Sequence, residues 1–388
     1  MNSSPNIQPA LKRGLYVHIP FCLKKCHYCD FVITTKRDPA TKQSFFSAFE
    51  AELKHSVSKY GRLHFDTLYF GGGTPSALEP GEFDHIHGLL TRAFEFKPGF
   101  EFTVEVNPGD INSEKVQAYR RAGVNRVSLG AQAMQEELLR DMNRPHGVAE
   151  IDQTVALLRQ AGIKNVSMDM ILNLPGQTLA NIEETVSRLV ALGSDQISVY
   201  DLDVHEKTAY GQRRREGRLK LASEAEHAVM AEQVVQGLES AGFIHYELSN
   251  FAKPGFESRH NLIYWNNQSY LGLGPGAFSY MNGIRYQFSD SVDGYFRKTL
   301  AQDWTNQTED RLTEEEIEKE SFLTGIRLKE GMDLRRLDIL RDPFEKESEI
   351  YIQEGLLEKD EFRLKFTPKG KPLAELILRR FAKVHSKP

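Results

Sequence analysis

Over roughly the first two hundred residues the apolar positions follow one rhythm. A short β-branched or aromatic run is followed by a loop and then by a longer stretch with apolar residues at helical spacing. The runs at 15–19, 67–70, 102–106, 126–129, 165–171 and 196–200 predict strands. Between them, 42–60 carries Phe45, Phe46, Phe49 and Leu53 on one helical face, and 113–122 opens with the cap signal Ser113-Glu114 before Val116 and Tyr119. The stretches 149–161 and 179–192 repeat the pattern, and Gly123, Gly162 and Gly193 stand where these helices should stop. Six such units predict an α/β fold with a parallel sheet, curled by right-handed crossovers into a partial (βα)6 TIM-like barrel. The functional residues of such a fold belong at the C-terminal ends of its strands.

After about residue 220 the rhythm changes. A helix is predicted at 224–241 and a short strand at 245–248, followed by a Gly- and aromatic-rich stretch at 261–286. From Thr313 the chain turns to Glu/Lys-rich helices, a hairpin at 356–366 and a last helix at 372–381. We therefore divide the chain into 1–220 (the barrel), 221–310 (a barrel extension) and 311–388, a C-terminal α+β winged-helix-like module. Winged modules often bind DNA, but a packing or lid role suits a chain without a basic surplus better.

Composition narrows the function. With 49 basic and 54 acidic residues the formal charge is −5, so no nucleic-acid partner is expected. The local run Arg213-Arg214-Arg215 is read as a solvated helix face or loop. The first residues have no apolar signal core, and no apolar run of membrane-spanning length follows, so the expectation is a cytoplasmic protein. Oligomeric state leaves no mark on the sequence. All 3 cysteines fall within one short segment, which argues against a disulfide framework and for metal or redox chemistry.

That segment, Tyr16-Val-His-Ile-Pro-Phe-Cys22-Leu-Lys-Lys-Cys26-His-Tyr-Cys29-Asp-Phe31, directly follows the first strand. Cubane clusters usually take four thiolates, one per iron. Cys22, Cys26 and Cys29 supply three, leaving one iron of a [4Fe-4S] cluster open to a small chelating molecule. The methionyl end of S-adenosylmethionine (SAM) fits that vacancy. The competing reading is a zinc site completed by His18 or His27. The polar signatures at the other strand ends favour the cluster. Phe70-Gly-Gly72-Gly73-Thr74-Pro-Ser lets a backbone approach a ligand closely and expose N–H and C=O groups to an amino-acid head. Glu105, Gln132 and Asp169 end the next three strands, and Arg144 follows on a loop. A carboxylate suits ribose hydroxyls, and an arginine pairs with a carboxylate in a fork.

With these motifs assembled, the sequence resembles the radical SAM group that contains anaerobic coproporphyrinogen III oxidase and the haem chaperones of the HemW type. The likeness runs from Tyr16 to the C-terminal module, carried by C-x3-C-x2-C, GGGTP and E-x-N-P. It implies SAM contact by Tyr16, Gly72, Gly73, Thr74, Glu105, Gln132, Arg144 and Asp169, and a one-electron reductant such as flavodoxin or ferredoxin.

Two functions compete within this group. One is oxygen-independent coproporphyrinogen III oxidation, a radical decarboxylation of propionates in porphyrin biosynthesis. The other is haem binding and delivery to a recipient haemoprotein, including one in a membrane. The oxidase carries a fourth cysteine two residues after the third and a longer leading segment, whereas this chain has Phe31 there. His260-Asn261-Leu-Ile-Tyr264-Trp265 is similar to the H-N-x-x-Y-W motif of the HemW branch, implying haem contact by His260, Asn261, Tyr264 and Trp265. His146, His205 and His245 are the alternative axial ligands. The resemblance thus points to haem as cargo, and leaves open whether this oxidase-like protein is an enzyme. Macromolecule modification by radical SAM chemistry is a third class, disfavoured by the absence of basic clustering.

Overall fold

The structure is a computed structural model that describes residues 11–385. Six strands, β1 (Gly14–Ile19), β2 (His64–Gly72), β3 (Glu95–Val106), β4 (Arg126–Gln132), β5 (Asn165–Leu172) and β6 (Gln196–Asp201), pair in parallel in chain order. They match the six predicted runs, with β2 and β3 starting earlier than the pattern indicated. The helices between them end as expected. Gly123, Gly162 and Gly193 lie at φ 85°, 83° and 76°, left-handed values that glycine adopts without strain.

The parallel strands alternate over most of their length. Leu15, Val17 and Ile19 on β1, Leu68 and Phe70 on β2, and Val127 and Leu129 on β4 are fully buried under the helices. The intervening positions are polar, and they face one another. Arg126 on β4 donates to Gln196 on β6 at 2.8 Å, passing over β5, which places both on the concave side of the sheet. Tyr69 reaches Glu105 (2.9 Å) and Ser128 reaches Asp169 (3.2 Å) on that same side. A barrel of this kind normally fills its interior with branched apolar residues. Here the apolar core lies between sheet and helices, and the interior is a hydrogen-bonded polar network.

The sheet does not close. β7 (Ile244–Glu247) and β8 (Asn250–Ala252) add antiparallel to the β6 edge. On the other side β9 (Tyr270–Leu273) pairs parallel to β1, and β10 (Phe278–Met281), β11 (Ile284–Gln287) and β12 (Thr308–Arg311) continue as an antiparallel meander. The stretch read only as Gly- and aromatic-rich is thus a sheet extension, and the sheet has 12 strands. The helices Pro80–Ala93 and Glu136–Asp141 were also not anticipated.

The C-terminal module has its own core. Helices Glu314–Gly325, Arg341–Gln353 and Ala374–Phe381 surround a small sheet of β13 (Met332–Asp333), β14 (Leu357–Lys359) and β15 (Arg363–Phe366). Phe322 stacks on Phe344 at 3.8 Å and packs on Phe381 at 4.8 Å. The module docks on the segment that follows β8: Arg336 donates to the Asn266 carbonyl (3.0 Å), and the Arg327 guanidinium lies 5.7 Å over the Trp265 ring.

Candidate functional site

The three cysteines occupy the loop that leaves β1, and all three line one cavity of about 320 Å³ at the C-terminal ends of the parallel strands. The loop's return is clamped by His18, whose Nε2 bonds the Val32 carbonyl (2.7 Å), while Tyr16 Oη contacts His18 Nδ1 (3.2 Å). This clamp explains two glycines. A Cβ on Gly72 would fall 2.6 Å from the His18 ring, and one on Gly276 would fall 2.9 Å from Val32. On the far side the loop is pinned by His27, whose amide donates to Met142 O (3.0 Å) and whose Nδ1 lies 2.6 Å from Asp141 O.

A continuous run of contacts joins two of the thiols. Cys22 Sγ meets Thr74 Oγ1 at 3.4 Å, and Asn107 Nδ2 donates to Thr74 Oγ1 at 3.1 Å. Arg144 donates to Asn107 Oδ1 (2.5 Å), to the Gly130 carbonyl (2.8 Å) and to Cys26 Sγ (3.4 Å). Residues from β1, β2, β3 and β4 are thereby fixed to one frame. Asn107 was missed as a site residue, although its place two positions after Glu105 puts it on the same side of its strand.

The sequence-predicted ligand residues Gly72, Gly73, Thr74, Glu105, Gln132, Arg144 and Asp169 line the same cavity as the cysteines. Tyr16 stands behind it, its ring stacked on Tyr69 at 6.0 Å. The glycine ledge differs from expectation in one respect. The Gly72 amide donates to Glu105 Oε2 (3.1 Å) and the Gly73 amide to Ile19 O (2.8 Å), so these two glycines offer a ligand room rather than free N–H groups. Burial shifts the ionisable groups here toward their neutral forms: Glu105 is raised to about 7, Asp169 is raised, and Cys22 is pushed up to about 12.

The thiols line the cavity without converging on a point: among the described residues no three His, Cys, Asp or Glu side chains are grouped to hold a single metal ion. Both histidines proposed to complete a zinc site are committed to backbone carbonyls, His18 to Val32 and His27 to Asp141. Spread thiols suit a polynuclear cluster, in which each thiolate takes its own iron. Arg213, read as part of a solvated run, is half-buried and donates to Asp141 Oδ1 at 2.6 Å; Arg214 and Arg215 are exposed as expected.

His260, Asn261, Tyr264 and Trp265 lie on the short helix Arg259–Trp265, away from the cavity lining. His260 is 1% exposed, with Nδ1 at 2.7 Å from Thr67 Oγ1 and Nε2 at 2.8 Å from Tyr264 Oη. Its ring stacks on Tyr69 at 4.9 Å, and burial lowers its pKa to about 3. Of the other histidines, His205 lines the cavity and is exposed, whereas His146 and His245 are buried. No described helix is long and apolar enough to cross a membrane.

A family profile described as the radical SAM superfamily matches residues 16–189, and one described as the HemN C-terminal domain matches 312–373. The heme chaperone HemW of Bacillus subtilis is 33% identical over 95% of this chain and 99% of its own. That of Lactococcus lactis is 34% identical over 94% of this chain and 96% of its own. Coproporphyrinogen III oxidase (HemN) from Escherichia coli has the same fold, with a TM-score of 0.84 at 24% identity, covering 97% of this chain and 91% of that one. By sequence along nearly its whole length, the chain belongs to the HemW family within the radical SAM superfamily.

Proposed function

We propose that this protein is a haem chaperone that holds a [4Fe-4S] cluster on Cys22, Cys26 and Cys29, binds SAM at the open iron, and delivers haem to a recipient haemoprotein. The observation that carries the cluster reading is the frame from Cys22 through Thr74, Asn107 and Arg144 to Cys26, which holds two thiols on the wall of one cavity. The cluster would supply one-electron chemistry toward the sulfonium of SAM. Around it, Arg144 counters thiolate charge, and Glu105 and Asp169 offer acceptors to ribose or ammonium groups. The reductant would be a one-electron carrier protein.

The haem part rests on the family and on Phe31, exposed at the cavity wall where the oxidase carries another cysteine. Contact through His260, Asn261, Tyr264 and Trp265 requires a rearrangement, because an iron on His260 takes the place of either Thr67 or Tyr264. The test is anaerobic reconstitution followed by iron and sulfide analysis, electron paramagnetic resonance with and without SAM, and haem titration read at the Soret band. The expected outcome is a SAM-sensitive cluster signal, haem uptake, and no protoporphyrinogen from coproporphyrinogen III. Formation of protoporphyrinogen would replace this reading by the oxidase one. A Soret band unchanged in His260→Ala would move the axial ligand to another histidine, with exposed His205 foremost.

A further inference from the structure

The cysteine loop also forms an exposed rim of the cavity, where Lys24 and Lys25 stand. Leu23, Lys24 and Lys25 are exposed between Cys22 and Cys26, and the backbone beneath them is held rigidly, with Asn143 Nδ2 donating to the Lys25 carbonyl at 2.9 Å. Residues 23–37 carry Lys24, Lys25, Lys36 and Arg37 against one carboxylate, Asp30, in a chain whose net charge is −5. The neighbouring helix Ala209–Arg215 extends the basic character with Arg213, Arg214 and Arg215, whereas Glu136–Asp141 sets Arg140 beside Glu136, Glu137 and Asp141. The Arg213–Asp141 pair joins Glu136–Asp141 to Ala209–Arg215, and these helices expose Arg140 and Arg214. Lys24, Lys25 and Arg214 have no ion-pair partner among the described residues. Of the acidic groups nearby, Asp141 pairs with Arg213, Glu136 accepts from the Val148 amide, and Asp30 and Asp203 lie on either side of His205, while Glu137 is exposed.

We propose that this basic outer face is the docking surface for an acidic one-electron carrier protein that reduces the cluster, an inference that rests on the cluster reading above. Cys26 follows Lys25 directly, and Lys24 and Lys25 stand at the exposed rim of the cavity, so a carrier seated on that rim brings its redox group close to a cluster ligand while SAM lies deeper, against Gly72, Glu105 and Asp169. Opposite charge on the carrier steers encounter and orients it. In the step itself an anionic flavin hydroquinone loses one electron to become the neutral semiquinone, and the cluster passes from its 2+ to its 1+ state.

The test uses reconstituted protein and two reductants under anaerobic conditions: an acidic flavodoxin in its hydroquinone form, and the small methyl viologen radical cation. Flavodoxin binding is measured separately by titration calorimetry. Arg140→Glu/Arg214→Glu, whose side chains lie outside the cavity lining, should slow reduction by flavodoxin about tenfold or more at about 20 mM salt and weaken binding in parallel. The difference should close toward about 300 mM salt, where the Debye length falls well below 10 Å. Reduction by methyl viologen should stay within about twofold of the unsubstituted protein. Lys24→Glu/Lys25→Glu should show the same or a larger loss with flavodoxin. Arg379→Glu/Arg380→Glu, on the C-terminal helix, changes net charge equally and should leave both rates alone. Unchanged flavodoxin rates in both loop-face variants, or an equal loss in the C-terminal control, would overturn the docking assignment. Failure of methyl viologen to reduce any cluster in the unsubstituted protein would instead remove the cluster reading beneath it.

Discussion

The polar interior of the barrel ends differently at its two extremes. At the C-terminal ends of β1–β5 it opens into a cavity, lined by three thiols, Glu105 and Asp169, whose partners Thr74, Arg144, Tyr69, Gly72 and Ser128 leave one side of each group facing space. Around His260 it is closed: Nδ1 and Nε2 are both bonded, the ring is stacked on Tyr69, and the His260 amide donates to Glu101 Oε1 at 3.0 Å. Both regions are desolvated, and in both burial favours the neutral form, raising Glu105 and lowering His260. The difference lies in satisfaction. A buried polar group that already has its partners is a structural plug, whereas one that faces a cavity waits for a ligand. The histidine that the motif singled out therefore has to be released before it can bind iron.

The largest test of this contrast is at the open end. Cys26→Ser should abolish nearly all iron and sulfide binding, yet change the unfolding free energy of the metal-free protein by less than about 1 kcal/mol. Its sulfur makes a long contact with Arg144, at 3.4 Å, and a further side-chain contact with Tyr28. Chemical denaturation beside iron analysis separates the two effects, and a large stability loss would mean that the thiol is structural.

Two buried carboxylates give the next largest effect. Glu52 and Glu105 are each raised from 4.5 to about 7, both mainly by burial. The folded protein then keeps a proton that the unfolded chain releases near 4.5, so this contribution to stability is fully present below that value. It is lost as pH rises to about 7 and does not fall further above. Glu52 is 6% exposed and holds Tyr295 Oη and the Gly274 amide at 2.7 and 2.8 Å, so its share reaches at most about 3 kcal/mol. Glu105 faces the cavity and should contribute less. Urea unfolding between pH 5 and pH 8, at roughly unit steps, should therefore flatten more in Glu52→Gln than in Glu105→Gln. The reverse order would mean that the cavity is the drier of the two places.

At the closed end, Glu101→Gln should cost about 2 kcal/mol. The carboxylate accepts from the amides of Arg259 and His260, both at 3.0 Å, and its charge faces the fully buried side of Arg126. If haem enters by releasing the Arg259–Trp265 helix, this variant should bind haem more tightly although it is less stable. Weaker haem binding in step with lower stability would show that the helix stays in place.

The sequence disclosed these regions unequally. Strands β1–β6, four of the helices between them and most of the named cavity residues were legible because each rests on local signals: alternation, a terminal glycine, or a polar residue where a strand ends. β9–β12 were hidden because each is 4 residues long, β9–β11 lie among glycines and β12 is all polar, so their pairing is decided by the neighbouring strand and not by their own pattern. His18 was legible as a candidate ligand, but its actual role is a clamp on Val32, fixed by residues far along the chain such as Gly276. Arg213 gave no sign at all, since its partner Asp141 lies 72 positions away and belongs to a helix that was not anticipated.

That pair supplies the smallest effect and a sharp question about the cluster loop. Arg213 donates to Asp141 Oδ1 at 2.6 Å and lies 5.3 Å over the Tyr210 ring, while Tyr210 Oη donates to Asp141 Oδ2 at 2.8 Å. The carbonyl of the same aspartate holds His27 Nδ1 at 2.6 Å, which places the ring proton on that nitrogen. Arg213→Ala therefore leaves the carbonyl contact of the histidine in place and removes the guanidinium behind it, which also lies 3.3 Å from His27 Nδ1. A half-exposed ion pair is worth about 1 kcal/mol or less, so global unfolding should barely change. The loop between Cys26 and Cys29 should nevertheless open more often, because its anchor now rests on Tyr210 alone. Amide exchange at His27 and iron loss to a chelator should both quicken several-fold, and Arg213→Lys should restore charge without the planar stacking and recover only part of the difference. If exchange quickens while iron loss does not, the thiolates hold the loop by themselves and the helix Ala209–Arg215 serves only its outer surface.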